Sequence, residues 1–150
     1  MMKKKTTKAK TSFATALIAA MLAVLGMLTT PAVGSASTSE AAYPVSSFRL
    51  PYGASLLAGE ITWYDRSVHI TGSVKAVSTG KTAWFRGESP NCLVGPETRT
   101  ASVGETRGFL VDIPCNYPGG ITIVYVKMYD VQGNYLRGDI CTRNGCVHQD

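Results

Sequence analysis

The sequence predicts an all-β domain, an antiparallel sandwich of about seven strands held by two disulfides. Three observations predict it. Beyond Pro44, apolar and polar residues alternate with a period of two in run after run, the pattern of half-buried strands. Glycine, proline, asparagine and aspartate cluster between the runs, and no segment of this part sustains a helical period. The four cysteines, Cys92, Cys115, Cys141 and Cys146, are an even set in a chain that carries an export signal.

That signal comes first. Lys3, Lys4, Lys5, Lys8 and Lys10 precede an uncharged apolar run from Phe13 to Leu28, then Pro31 and the small residues Gly34-Ser35-Ala36. The order is that of a secretory signal peptide cleaved after Ala36. A membrane-spanning helix wants about 20 apolar residues, more than this run offers. The division expected is a leader at 1–36, a flexible arm at 37–45 and a sandwich domain at 46–150. The chain carries fifteen Lys and Arg against ten Asp and Glu. Five of the lysines lie in the leader, so the exported part balances at zero formal charge. A neutral domain lacks the field that nucleic acid or an anionic membrane would call for. The expectation is a secreted, extracellular protein with no membrane contact after leader cleavage.

Ser37 to Tyr43 is small and polar and reads as the arm. Ile61 and Trp63 alternate with Glu60, Thr62 and Tyr64, and Asp65-Arg66-Ser67 turns the chain. Val68, Ile70, Val74 and Ala76 share one face of the next strand, opposite His69, Thr71, Ser73 and Lys75. Gly72 interrupts the apolar face and marks a bulge or a close backbone approach. After the turn Ser78-Thr79-Gly80-Lys81, a strand over 82–87 sets Ala83 and Phe85 against Trp84 and Arg86. Positions 89–105 form the longest irregular stretch, with a short strand near 99–103. Phe109, Val111 and Ile113 line one side of the next strand, and Tyr117-Pro118-Gly119-Gly120 is a strong turn. The longest strand runs from Ile121 to Tyr129, with Val124, Val126 and Met128 toward the core. A turn over 130–134 leads to the last strand, 135–141. Asn144-Gly145 then reads as a two-residue turn between Cys141 and Cys146.

The segment Phe109-x-Val111-x-Ile113-Pro114, followed by Pro118-Gly119-Gly120 and Val124-x-Val126-x-x-Tyr129-Asp130-x-x-Gly133-Asn134, resembles the penultimate hairpin of bacterial extracellular immunoglobulin-like domains. The likeness covers Phe109 to Asn134. It implies an immunoglobulin-like sandwich used for binding or as an accessory module, without catalysis.

The cysteines read as disulfides. Zinc sites want close cysteine pairs, whereas the intervals here are 22, 25 and 4 residues. With strands running up and down, Cys92, Cys115 and Cys141 emerge at one end of the sandwich, and geometry forbids none of the three pairings. Pairing neighbours in sequence, Cys92–Cys115 and Cys141–Cys146, needs the least topology.

Chemistry is sparse. The two histidines, His69 and His148, stand beside no Gly-x-Ser-x-Gly elbow. Glu60, Asp65, Glu88, Asp112 and Asp139 form no evident glycosidase pair. There is no phosphate loop, metal-ligand cluster or calcium loop. The chain is therefore expected to be no enzyme and to need no cofactor or metal. Aromatic side chains are the suggestive remainder. By alternation Tyr64, Trp84, Tyr125 and Tyr129 fall opposite the core face, where flat rings can stack on sugars. The expected function is a secreted, non-catalytic binding module for an extracellular glycan or protein. The alternative is a protease inhibitor that presents a protruding loop at 89–96, with Leu93 or Val94 offered to a protease pocket.

Overall fold

The computed structural model describes residues 42–149. The leader expected at 1–36, positions 37–41 of the expected arm, and Asp150 lie outside the described residues. Nine strands follow one another: β1 (Val45–Tyr52), β2 (Ser55–Trp63), β3 (Ser67–Lys75), β4 (Lys81–Ser89), β5 (Cys92–Ala101), β6 (Thr106–Pro114), β7 (Ile123–Asp130), β8 (Tyr135–Thr142) and β9 (Gly145–Gln149). No helix occurs among the described residues.

The strands form two antiparallel sheets, ordered β1-β2-β3-β6 and β5-β4-β7-β8-β9. Seven of the strands, β2 to β8, form the body of the two sheets. The first, second and fifth of them share one sheet, and the fourth, third, sixth and seventh share the other. β1 and β9 widen the two sheets by one strand each. Between the sheets the alternation delivers its apolar half. Leu50, Leu57, Ile61, Trp63, Val68, Ile70, Val74 and Ile113 meet Ala83, Phe85, Val124, Val126 and Met128, all fully buried. Burial of each large side chain contributes about 1.5–3 kcal/mol.

Gly72 is a close approach. It lies opposite Gly59 across the β2–β3 pair. A Cβ on Gly72 would stand 2.3 Å from the Ala58 carbonyl oxygen, 2.7 Å from Gly59 Cα and 2.9 Å from Phe109 Cζ. A Cβ on Gly59 would meet Phe48 Cζ at 2.7 Å. The paired glycines thus leave a bare patch on the inner face. Phe48 and Phe109 cover it, and both rings pack on Phe85, with centroids at 6.2 and 5.1 Å.

The cysteines pair as Cys92–Cys115 and Cys141–Cys146. The first bond joins the start of β5 to the residue after β6, and so ties the two sheets together. On the same flank Arg107 donates to the Thr100 carbonyl at 3.0 Å and Arg99 to the Leu110 carbonyl at 3.5 Å. These guanidiniums occupy edge groups that would otherwise invite another strand.

Several expectations are corrected. β1 has no counterpart among the strands expected from the sequence, because its inward positions include Ser46 and it contains Pro51. Ser46 is buried yet satisfied: the Trp63 indole donates to its hydroxyl at 3.0 Å, and the hydroxyl donates to the Thr142 carbonyl in the other sheet. Pro51 is tolerated because β1 is an edge strand.

The irregular stretch expected at 89–105 is instead β5, which at ten residues is the longest strand. Its Gly95 and Pro96 are absorbed by a bulge: Phe85 opposes Glu97 and Gly87 opposes Val94, so these two residues face the single residue Arg86. β7 begins at Ile123, two residues later than expected, and Ile121 is buried outside it. The last turn shifts by one residue. Thr142 opposes Gly145 and Cys141 opposes Cys146, so Arg143 and Asn144 form the loop. With Cys141 and Cys146 bonded across this hairpin, Cys92 and Cys115 are left to each other. Lys81 is no turn residue but the first of β4, and it is buried. Its ammonium donates to the Thr79 carbonyl at 2.9 Å and to the Thr79 hydroxyl, with the Tyr52 ring centroid 5.9 Å away.

Candidate functional site

The outer face of the five-stranded sheet carries the aromatic side chains. Because Ala83, Phe85, Val126 and Met128 point inward, their neighbours Trp84, Lys127 and Tyr129 point outward. Register then aligns one residue from every strand. Thr98 lies opposite Trp84, Trp84 opposite Lys127, Lys127 opposite Gly138, and Gly138 opposite Gln149. On one side of this row Thr82, Tyr129 and Tyr135 stand opposite one another. On the other side stand Arg86, Tyr125, Ile140 and Val147.

Tyr135 reaches this face through a bulge. The register between β7 and β8 shifts between Met128 and Tyr129, so that Met128 opposes Arg137 while Tyr129 opposes Tyr135. Leu136 is the extra residue, and it packs against the core instead. The turn before it is held by one carboxylate. Asp130 accepts from the Asn134 side-chain amide at 2.8 Å and from the backbone amides of Asn134 and Gln132 at 2.8 and 2.9 Å. The Asn134 side-chain bond, aided by those backbone amides and opposed by partial desolvation, holds the Asp130 carboxyl below its ordinary value.

The rings form a continuous series. Trp84 and Tyr129 meet edge to face with centroids at 6.5 Å, as do Tyr129 and Tyr135 at 5.9 Å. The Lys127 ammonium lies 5.2 Å from the Trp84 centroid and 5.9 Å from that of Tyr125, and the Arg86 guanidinium lies 5.5 Å from Tyr125. Each such contact contributes about 0.5–1 kcal/mol at a solvated site. Beside them opens a shallow groove of about 370 Å³ lined by Lys127, Tyr129, Tyr135 and Gln149. Gly138 is buried beneath these side chains: a Cβ there would stand 3.0 Å from the Tyr135 hydroxyl and 3.2 Å from Lys127 Cγ, so the bare backbone lets Tyr135 and Lys127 close over the strand. The Tyr135 hydroxyl in turn donates to the Gln149 carbonyl at 3.3 Å.

Of the four aromatic residues read from the sequence, Trp84, Tyr125 and Tyr129 share this face. Tyr64 does not. It follows β2 in the other sheet and packs against Tyr43, with centroids at 4.5 Å. Sequence reasoning missed Tyr135, Lys127 and Gln149. Tyr135 was out of reach because a bulge re-aims it, and Gln149 because no alternation marks β9. Lys127 was legible as an outward position between two tyrosines.

The segment expected to protrude as an inhibitor loop is a tight hairpin. Ser89 opposes Cys92, so only Pro90 and Asn91 are unpaired, while Leu93 and Val94 are laddered to Glu88 and Gly87. Leu93 is exposed and Val94 half-buried, but neither sits on a free loop.

Each histidine is bonded to an aspartate. His69 meets Asp112 on the outer face of the four-stranded sheet, and His148 meets Asp139 at 2.8 Å. Thr62 lies opposite His69, yet no hydrogen bond joins that hydroxyl to the ring, as an activated nucleophile would require. Among the described residues no group of three or more His, Cys, Asp or Glu side chains could hold a metal ion.

Comparison with protein-family models, with curated proteins and with solved structures finds no match to this chain.

Proposed function

We propose that this chain is an exported, non-catalytic binding module of the extracellular immunoglobulin-like kind, and that it binds glycan on the outer face of its five-stranded sheet. One observation carries the reading: two of the four sequence-identified rings, Trp84 and Tyr129, form with Tyr135 a continuous series beside a groove on this face. Half-buried rings with fixed neighbours lose little freedom on stacking against a sugar. The groove is open and shallow, which suits a chain of sugars lying across a sheet. Further support comes from the two antiparallel sheets of a sandwich and from two disulfides of the sort that persist outside the cell.

The test uses protein harvested from the medium of producing cells. Its expected start is near Ser37, and its mass four protons below the reduced form. Applied to a panel of insoluble polysaccharides, it is retained by at least one, and Trp84→Ala and Tyr129→Ala each weaken retention about tenfold, the usual scale of a ring that stacks. Equal retention of both variants on every polysaccharide removes this face from the proposal.

A further inference from the structure

We propose that the groove selects an acidic sugar, a uronic acid whose carboxylate pairs with Lys127. This rests on the glycan reading and sharpens it. Lys127 stands at the centre of the five-residue row, between Trp84 and Gly138, and it lines the groove. Its ammonium lies near two ring faces, yet it forms no ion pair among the described residues.

Among the described residues the nearest acidic positions are otherwise engaged. Glu88 on β4 pairs with Arg86 at 3.4 Å. Asp130, next to Tyr129, is saturated by the amides of its own turn. Asp139 faces the opposite side of β8, bonded to His148. Among the described residues, then, no carboxylate on this face meets the Lys127 charge, in a domain whose formal charge beyond position 36 is zero. Attraction is local to the groove rather than a property of the surface at large.

The other lining groups fit a ring that bears such a charge. Tyr129 and Tyr135 offer flat faces, and the Gln149 amide can both donate to and accept from sugar hydroxyls. An extended acidic peptide would satisfy the ammonium but would leave the tyrosine faces without a flat partner.

The experiment compares three soluble polymers by titration calorimetry with the exported protein: polygalacturonate, the same polymer fully methyl-esterified, and poly-L-glutamate. The expected result is affinity for polygalacturonate about tenfold above that for the ester. Lys127→Gln lowers polygalacturonate affinity by about the same factor, and its far-UV circular dichroism stays that of the folded parent at the temperature of the titration. Poly-L-glutamate is not bound. Equal affinity for acid and ester overturns the inference and leaves glycan binding standing. So does an undiminished acid preference in Lys127→Gln. Binding of poly-L-glutamate as tight as polygalacturonate replaces the sugar with a peptide. Failure to bind either sugar polymer overturns the inference, and the glycan reading falls with it only if the insoluble panel is also blank.

Discussion

At the scale of single residues, the paired glycines have the largest structural effect. Gly72 stands opposite Gly59, with two phenylalanine rings covering both. Adding a methyl group at Gly72 forces it against backbone atoms of the neighbouring strand, which cannot rotate away. Gly72→Ala is therefore expected to cost about 1–3 kcal/mol. Gly108→Ala is the control, because its nearest heavy atom would be 3.8 Å away, and it is expected to change stability by less than about 0.5 kcal/mol. Urea denaturation of the two variants checks both, and equal midpoints would contradict the close contact. The role of Gly72 was legible, since a glycine on an otherwise apolar strand face leaves a gap that a neighbouring group must fill. The burial of Lys81 was not. Nothing in a turn-like Ser-Thr-Gly-Lys string announces that its lysine will fold inward onto Thr79.

At the scale of elements, the hairpin from β7 to β8 links the turn to the groove. The Asp130 carboxylate organises the turn, the bulge follows, and Tyr135 is delivered beside Tyr129. The folded carboxyl titrates below the unfolded one. Its contribution to stability is thus complete above the unfolded value and is lost as pH falls through the folded value. The backbone amide shifts of Gln132 and Asn134 are expected to titrate together, with a midpoint below the ordinary aspartate value, and Asp130→Asn should abolish the transition. A midpoint at or above the ordinary value would contradict the bonding described. The elements themselves divide by composition. β2, β3, β4, β6 and β7 were readable because each places apolar residues at every second position, and β8 because a clear turn over 130–134 precedes it. β1 was hidden by an inward serine, and β5 by Gly95 and Pro96, which suit an edge strand with a bulge. β9 is short and half-exposed, so no core face marked it. Because the groove draws Gln149 from β9 and Tyr135 from a bulge, the site was less legible than the fold.

For the whole molecule, the two disulfides do different work. Cys92–Cys115 spans 23 residues and bridges the sheets, whereas Cys141–Cys146 spans 5 and staples one hairpin. Loop closure assigns about 3 kcal/mol to the first and about 2 to the second. Replacing each pair by alanine should lower the urea midpoint more for the first pair, and the reverse order would contradict this assignment. The layered architecture and the preferred pairing were both readable from alternation and from the order of cysteines. The sheet to which β5 belongs was not, because a strand interrupted by glycine and proline carries no signal of its partner.

β1 and β9 have a practical consequence. Val45 opposes Thr62, near the end where both cystines lie, while Gln149 opposes Gly138 at the groove. An affinity handle or fluorophore fused behind Gln149 would emerge at the rim of the groove and compete with whatever docks there. Placed ahead of Val45 it would leave from the far end, and immobilisation through that end would keep the tyrosines turned toward the solution.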